Sequence, residues 1–326
     1  MSRTMAIAKT IDFGFGMTFY PLFKYLYYYF RSKPRFIKIE TTNFCNAQCL
    51  YCPHSVMERK KGMMQDHLFK KIVAECVDWG IKEIHLCNFG EALLDKKLSE
   101  KIKYIKKRDA SIKTVIFTNG NLLDKETSTV LLSAGIDRIT VSFDGYSPEY
   151  FEKYRTPLKY DVVFNNIKDL IKVKKELNSR TQLILNAVYS SDNVSQKEVE
   201  NFKEYWKDEP VTINLQKLHE WHGYVPNSRY KYKNITCRDI YEYMTINWDG
   251  SVVPCCLDYD GVCVLGDATK EHIRSIWFGT KFVNFRRMLL KDMKAMEMCE
   301  QCGYRIYNVR FPYLTSFLKM MATIKR

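Results

Sequence analysis

Cys45-Asn-Ala-Gln-Cys49-Leu-Tyr-Cys52 carries three thiols at C-x3-C-x2-C spacing on one short segment. Three thiolates on one loop can hold three irons of a cubane [4Fe-4S] cluster and leave the fourth iron open to a ligand that is not protein. The competing reading of these residues is a zinc site completed by His54. A second run of cysteines begins past residue 230: Cys237, Cys255, Cys256, Cys263, Cys299 and Cys302. A polar turn, Leu218-His-Glu-Trp-His-Gly223, offers His219, Glu220 and His222 beside Lys217. These four are candidate substrate groups; either histidine or Glu220, and likewise His54, could take a proton near neutral pH, and polar loop residues at a domain junction would look the same.

These residues need a frame to position them. Between Phe36 and Lys217 short apolar stretches alternate with amphipathic ones, predicting strands at 36–41, 82–87, 114–118, 138–143, 182–188 and 212–217. Helices are predicted at about 66–79, 96–108, 124–134, 160–176 and 195–207. Leu68, Ile72, Val73 and Cys76, for example, fall on one helical face. Strands that alternate with helices need crossover connections, so the sheet is parallel and the class α/β. In such folds the chemistry collects at the C-terminal ends of the strands, where the Cys45 loop follows the first one. Further on, Met244-Thr-Ile-Asn-Trp-Asp-Gly250 and Ser251-Val-Val-Pro254 predict a hairpin around an Asp-Gly turn.

Among 326 residues, 46% are hydrophobic and 27% charged, which is ordinary for a soluble globular chain. Clustering of the eleven cysteines argues for metal in a reducing compartment and against disulfides. With no secretory pattern at the start, the expected location is cytoplasmic. A net charge of +14 favours anionic partners. The lysine-rich run from Lys96 to Arg108 reads as a solvated helix face, and no nucleic-acid motif accompanies it, so no nucleic-acid partner is expected. Residues 13–33 are aromatic and basic, and Pro21 and Lys24 argue against a spanning helix. They suit either peripheral contact with the inner face of an anionic membrane or padding of the fold.

The cysteine loop and its strand context resemble the radical S-adenosylmethionine (SAM) superfamily. The resemblance covers about residues 36–310. It implies an open partial (β/α)6 TIM-like barrel over 36–225 and a small cysteine-rich α+β auxiliary-cluster domain over 226–310. An extension at 1–35 and a tail at 311–326 flank them. Cys45, Cys49 and Cys52 would then hold the cluster that binds SAM. Asn88-Phe89-Gly90-Glu91-Ala92 resembles the family's G-G-E-P segment, with Gly90 and Glu91 matching and Phe89 and Ala92 departing. Further SAM contacts are implied for Tyr51, for Asn119, for Ser142 and Asp144, and for Arg155.

Cys237, Gly250 and Cys255 resemble the opening of the extension called SPASM, and Cys299-Glu-Gln-Cys302 supplies its C-x2-C. The later cysteines of that pattern are missing, which leaves the shortened form called twitch. The resemblance implies one auxiliary [4Fe-4S] cluster on Cys237, Cys255, Cys299 and Cys302, with Cys256 as the alternative to Cys255, against a four-cysteine zinc site. The implied cofactors are SAM and two clusters. The implied reaction is hydrogen abstraction from a small-molecule substrate by a 5′-deoxyadenosyl radical. The four auxiliary cysteines are spaced much as in twitch aminocyclitol dehydrogenases, where a sugar-like alcohol is oxidised and the second cluster accepts an electron. A flavodoxin or ferredoxin would supply the reducing electron. The alternatives are a maturase of ribosomally made peptides, disfavoured by the lack of an obvious peptide-recognition domain before residue 36, and a non-enzymatic zinc-binding interaction protein.

Overall fold

The computed structural model describes residues 33–189, 194–218, 237, 239–292, 295–300 and 302. Its first six strands are β1 (Phe36–Ile39), β2 (Glu83–His85), β3 (Lys113–Thr118), β4 (Arg138–Ser142), β5 (Gln182–Tyr189) and β6 (Thr212–Lys217). Helices α1 (Asp66–Asp78), α2 (Leu98–Arg108), α3 (Lys125–Ser133), α4 (Pro148–Tyr154), α5 (Tyr160–Glu176) and α6 (Gln196–Trp206) fall between them. All neighbouring pairs from β1 to β6 are parallel, as the alternation predicts.

Local signals explain where the helices begin. Asp124 caps α3 by accepting from the Thr127 N–H at 2.7 Å. Ser195 and Glu198 form a reciprocal capping box on α6. The additional helix α4 also has a sequence mark, the pair Ser147-Pro148: Ser147 accepts from the Tyr150 N–H at 3.1 Å and Pro148 takes the first helical position. The expectation of a solvated lysine face on α2 fails at Lys101, which is buried against Asp95 at 2.5 Å. A charge that deep persists because it is paired.

Past residue 237 lie α7 (Asp239–Glu242), β7 (Tyr243–Ile246), β8 (Ser251–Val253), β9 (Gly266–Asp267), α8 (Ile273–Phe278), α9 (Thr280–Lys291) and α10 (Glu297–Glu300). Among the described residues the sheet runs β6-β5-β4-β3-β2-β1-β7-β8-β9. β7 lies parallel to β1, with Phe36 opposite Tyr243 and Lys38 opposite Thr245. β8 folds back antiparallel over the expected Asp-Gly turn, where Gly250 takes φ +92. A side chain there would also strike the Thr269 methyl at 2.6 Å. The second cysteine region is thereby fixed to the edge of the parallel sheet at its first strand.

Candidate functional site

The Cys45 loop leaves the C-terminal end of β1 and is held there by backbone hydrogen bonds to the end of α4 and to the end of β2. The N–H groups of Gln48 and Leu50 donate to the carbonyls of Thr156 and Tyr154 at 2.7 and 2.9 Å. The N–H of Glu91 donates to Phe44 at 2.7 Å, next to Gly90. Gly90 has φ +91, and a Cβ there would lie 2.6 Å from the Phe44 carbonyl oxygen. Only glycine allows so close an approach without strain.

Below the loop sits Glu40, fully buried. Arg59 grips it with two bonds of 2.7 and 2.5 Å, and the N–H groups of Phe89 and Trp248 donate to the same carboxylate at 3.1 and 3.2 Å. Arg59 also donates to the Tyr259 carbonyl at 2.5 Å, and Asp260 accepts from its N–H at 3.2 Å. One buried ion pair therefore ties β1, the return from the cysteine loop, the β2 end and the second cysteine region together. Trp248 packs against Gly62 so closely that a Cβ there would meet its ring at 2.5 Å.

Burial raises the thiols of all three loop cysteines, Cys45 to about 12 and Cys52 to about 11, with Cys49 raised in the same direction. Cys45 and Cys52 each also respond to the charge of Cys49, while Arg155 pulls Cys49 the other way. Buried thiols that sense one another become thiolates readily only when a cation shares the site, so the donor set fits a metal cluster. Among the described residues, no three His, Cys, Asp or Glu converge closely enough to hold a single metal ion.

The other predicted residues surround this loop. Glu91 is buried, and its carboxylate accepts from the N–H groups of Asn119 at 2.6 Å and Leu93 at 3.1 Å. Burial raises its pKa. The Asn119 amide reaches Asn46 on the cysteine loop at 2.7 Å. Asp144 and Arg155, which the resemblance sends separately to SAM, pair with each other: the guanidinium donates through Nε and Nη2 at 2.8 and 3.1 Å. The Tyr51 hydroxyl donates to the same carboxylate, the Val188 N–H does so at 2.7 Å, and Arg155 lies 5.5 Å over the Tyr51 ring. Ser142 ends β4 opposite Asn186.

His54 is buried with Nε2 2.8 Å from the Asn43 carbonyl, and burial lowers its pKa. It braces the loop from below. Lys217 ends β6 opposite Tyr189. His219, Glu220 and His222 lie outside the described residues, as do residues 311–326 and all of 13–33 except Lys33.

In the second region, burial raises Cys237 and Cys255, and both feel Cys302, while Cys255 feels Cys256 most and then Cys237. Cys299 is buried, and its carbonyl accepts from the Cys302 N–H at 3.3 Å. The Cys256 sulfur lies 3.5 Å from the Tyr243 hydroxyl and within reach of Lys38. The residue that motif reading missed is Arg59. Nothing in the sequence marks it, because its partners are 19 to 201 positions away.

A thiol loop on the first strand of a parallel sheet, ringed by the ends of β2 to β5, is the arrangement that the comparisons place. The profile of the radical SAM superfamily matches residues 39–217, more than half of the chain. The chain belongs to the radical SAM superfamily. A second profile, for the SPASM iron-sulfur cluster-binding domain, matches residues 237–303. The S-adenosyl-L-methionine-dependent 2-deoxy-scyllo-inosamine dehydrogenase of Niallia circulans is 24% identical over 274 residues, 82% of this chain and 92% of that protein. The GTP 3′,8-cyclase of Campylobacter jejuni is 29% identical over 200 residues, 60% of this chain and 59% of that one. The structure of BtrN in complex with AdoMet and 2-DOIA superposes with a TM-score of 0.60 at 21% identity, over 85% of this chain and 94% of that one. Streptococcus suis SuiB bound to precursor peptide SuiA gives a TM-score of 0.60 at 15% identity, over 82% and 70%. At these identities the structural matches speak for a shared fold. As a radical SAM enzyme, the chain uses SAM and a [4Fe-4S] cluster, with further iron-sulfur binding in its SPASM region. Among the described residues, no helix is long and apolar enough to cross a membrane.

Proposed function

We propose that this radical SAM enzyme oxidises a secondary alcohol on a hydroxylated small molecule, a sugar or cyclitol, to a ketone. On this reading Cys45, Cys49 and Cys52 hold the SAM cluster, and Cys237, Cys255, Cys299 and Cys302 hold one auxiliary [4Fe-4S] cluster. When bound, SAM and the first cluster supply a 5′-deoxyadenosyl radical and the second cluster an electron acceptor, so the substrate loses two hydrogens overall. The chain itself positions these groups. Gly90 and Glu91 fix the end of β2 against residues 43–44. Asn119 and Asn46 close the next side of the rim, and Tyr51, Asp144 and Arg155, with Ser142 at the end of β4, would receive SAM on the far side. His54, turned to a backbone carbonyl, serves the loop and leaves proton removal to another group.

What supports this reading is the SPASM match over residues 237–303 together with the four cysteines of its pattern, Cys237, Cys255, Cys299 and Cys302, of which Cys237 and Cys255 each sense Cys302. Four thiolates saturate a cubane, which suits it to accepting an electron and not to ligating substrate. The Niallia circulans relative, a dehydrogenase over nearly its whole length of match, supports the same reaction class. The reducing electron would come from a flavodoxin or ferredoxin in a reducing cytoplasm.

The test is anaerobic incubation of reconstituted protein with SAM, a one-electron reductant and a panel of sugars and aminocyclitols, followed by mass spectrometry. The expected result is 5′-deoxyadenosine together with a product two hydrogens lighter. Turnover that yields a product of unchanged mass, or only a modified peptide, contradicts the reading.

A further inference from the structure

The face of the sheet opposite the helices carries a row of polar groups that the site above does not use. From β1 to β6 each crossover advances one strand in the same direction. Right-handed connections therefore place the intervening helices on one face and leave the other concave. Ile37, Ile39 and Ile84 are fully buried. Alternation along the strands turns Lys38 and His85 to the opposite side. The register sets Lys38 abreast of His85 on β2 and of Thr245 on β7, so three polar side chains from three strands stand in line.

Part of their hydrogen-bonding capacity is unspent. Lys38 forms no ion pair with a carboxylate among the described residues; its ammonium lies 4.5 Å over the Tyr243 ring and within reach of the Cys256 thiol, and it also senses Cys87. The acidic side chain that it senses, Asp239, accepts from the Tyr243 hydroxyl at 2.9 Å. His85 shares its Nε2 proton with Glu83 at 2.6 Å, and Arg138 neutralises that carboxylate at 2.9 Å. Burial pushes His85 down to about 4, so the ring is neutral at pH 7 and Nδ1 keeps a lone pair. That atom has no partner, although His85 is only 5% exposed, and neither has Thr245 Oγ1 at 0%. Buried polar atoms left unpaired on the two strands that flank β1 are uncommon in native folds and point to a ligand that completes them. Phe36, stacked 4.2 Å from His85 and 4.9 Å from Tyr243, gives the row an apolar floor.

We propose that Lys38, His85 and Thr245 bind the anionic, hydroxylated end of the substrate. A phosphate or carboxylate oxygen accepts from the Lys38 ammonium, and a neighbouring substrate hydroxyl donates to His85 Nδ1 while Thr245 serves either role. This rests on the reading above that the substrate is a hydroxylated small molecule, and narrows it to one that carries a negative group. It also places Cys256 beside the cation that anchors the substrate.

The test uses anaerobically reconstituted protein with SAM bound, titrated calorimetrically with two matched pairs: myo-inositol against myo-inositol 1-phosphate, and glucose against glucuronate. The anionic member of one pair binds about ten-fold or more tightly than its neutral partner, as a charge-assisted hydrogen bond requires. The pair that discriminates tells phosphate from carboxylate. In Lys38→Met the ratio collapses toward unity, and in Lys103→Met, on the exposed face of α2, it is retained. No preference in either pair, no binding by any of the four, or a preference that survives Lys38→Met overturns the proposal. Iron content and SAM binding on the same samples keep the two readings apart. Wild type that holds both yet shows no anion preference sinks this inference alone.

Discussion

The loop of Cys45, Cys49 and Cys52 and the segment of Cys255 and Cys256 each follow a strand, yet they are held in opposite ways. The first is stitched to distant partners: Thr156, Tyr154, Glu91 and, through Asn46, Asn119. The second is organised by its own neighbours. Asp258 is buried and accepts from the N–H groups of Val262 and Cys263 at 2.8 and 2.9 Å, while its own N–H donates to Cys255 at 3.3 Å. A loop held from afar depends on the sheet being correctly assembled, whereas a loop held locally can keep its shape on a perturbed scaffold. The Glu40–Arg59 pair is where the two systems meet.

Breaking that junction should have the largest effect. Glu40→Gln leaves Arg59 buried beside a neutral amide, and losing one partner of a buried pair costs about 3–5 kcal/mol. Urea denaturation of reconstituted protein should show this as a lowered midpoint, together with loss of iron from both regions. A cost below about 1 kcal/mol would mean that water reaches Arg59 freely. Asp258→Ala should cost less, about 1–3 kcal/mol for the two N–H groups left unpaired, and should release iron from the second region only. SAM binding measured on the same variant should be unchanged. Gly90→Ala is the mirror experiment and the smallest. An alanine at φ +91 is strained by about 1–2 kcal/mol and meets the Phe44 carbonyl, so SAM affinity should fall while the auxiliary iron stays. Equal iron loss from both regions in either of the last two variants would erase the distinction drawn between them.

The same contrast explains what could be read from the sequence. The six barrel strands were predicted within a few residues of their observed ends, because the alternation of apolar runs and amphipathic helices is a local signal. The hairpin of β7 and β8 was legible for the same reason, through Asp249-Gly250. The short helix α4 escaped although Ser147-Pro148 marks its start, since seven residues are too few to establish a periodicity. What was not legible is pairing decided by strand order. Asp144 and Arg155 can be recognised as polar strand-end residues, but their mutual ion pair exists only because α4 returns the chain to the cysteine loop. Adjacent Cys255 and Cys256 could not be told apart by type or spacing. In the structure Cys255 senses Cys256, Cys237 and Cys302, and Cys256 also meets Tyr243 and Lys38. Likewise, Lys38 looks like any strand lysine until β7 is laid beside β1.

The central claim is that two cysteine systems, one with an open iron for SAM and one fully ligated, share this sheet. Iron and sulfide content with low-temperature EPR tests it most directly, on anaerobically reconstituted wild type and on the triple variant Cys45→Ala, Cys49→Ala, Cys52→Ala. Wild type should hold about eight irons and the variant about four, as two cubane clusters require. A spectral change on adding SAM should appear in wild type and vanish in the variant. Wild type with only about four irons, all lost in the variant, would remove the auxiliary cluster and with it the proposed electron acceptor. Zinc in place of iron at both sites would contradict the account as a whole.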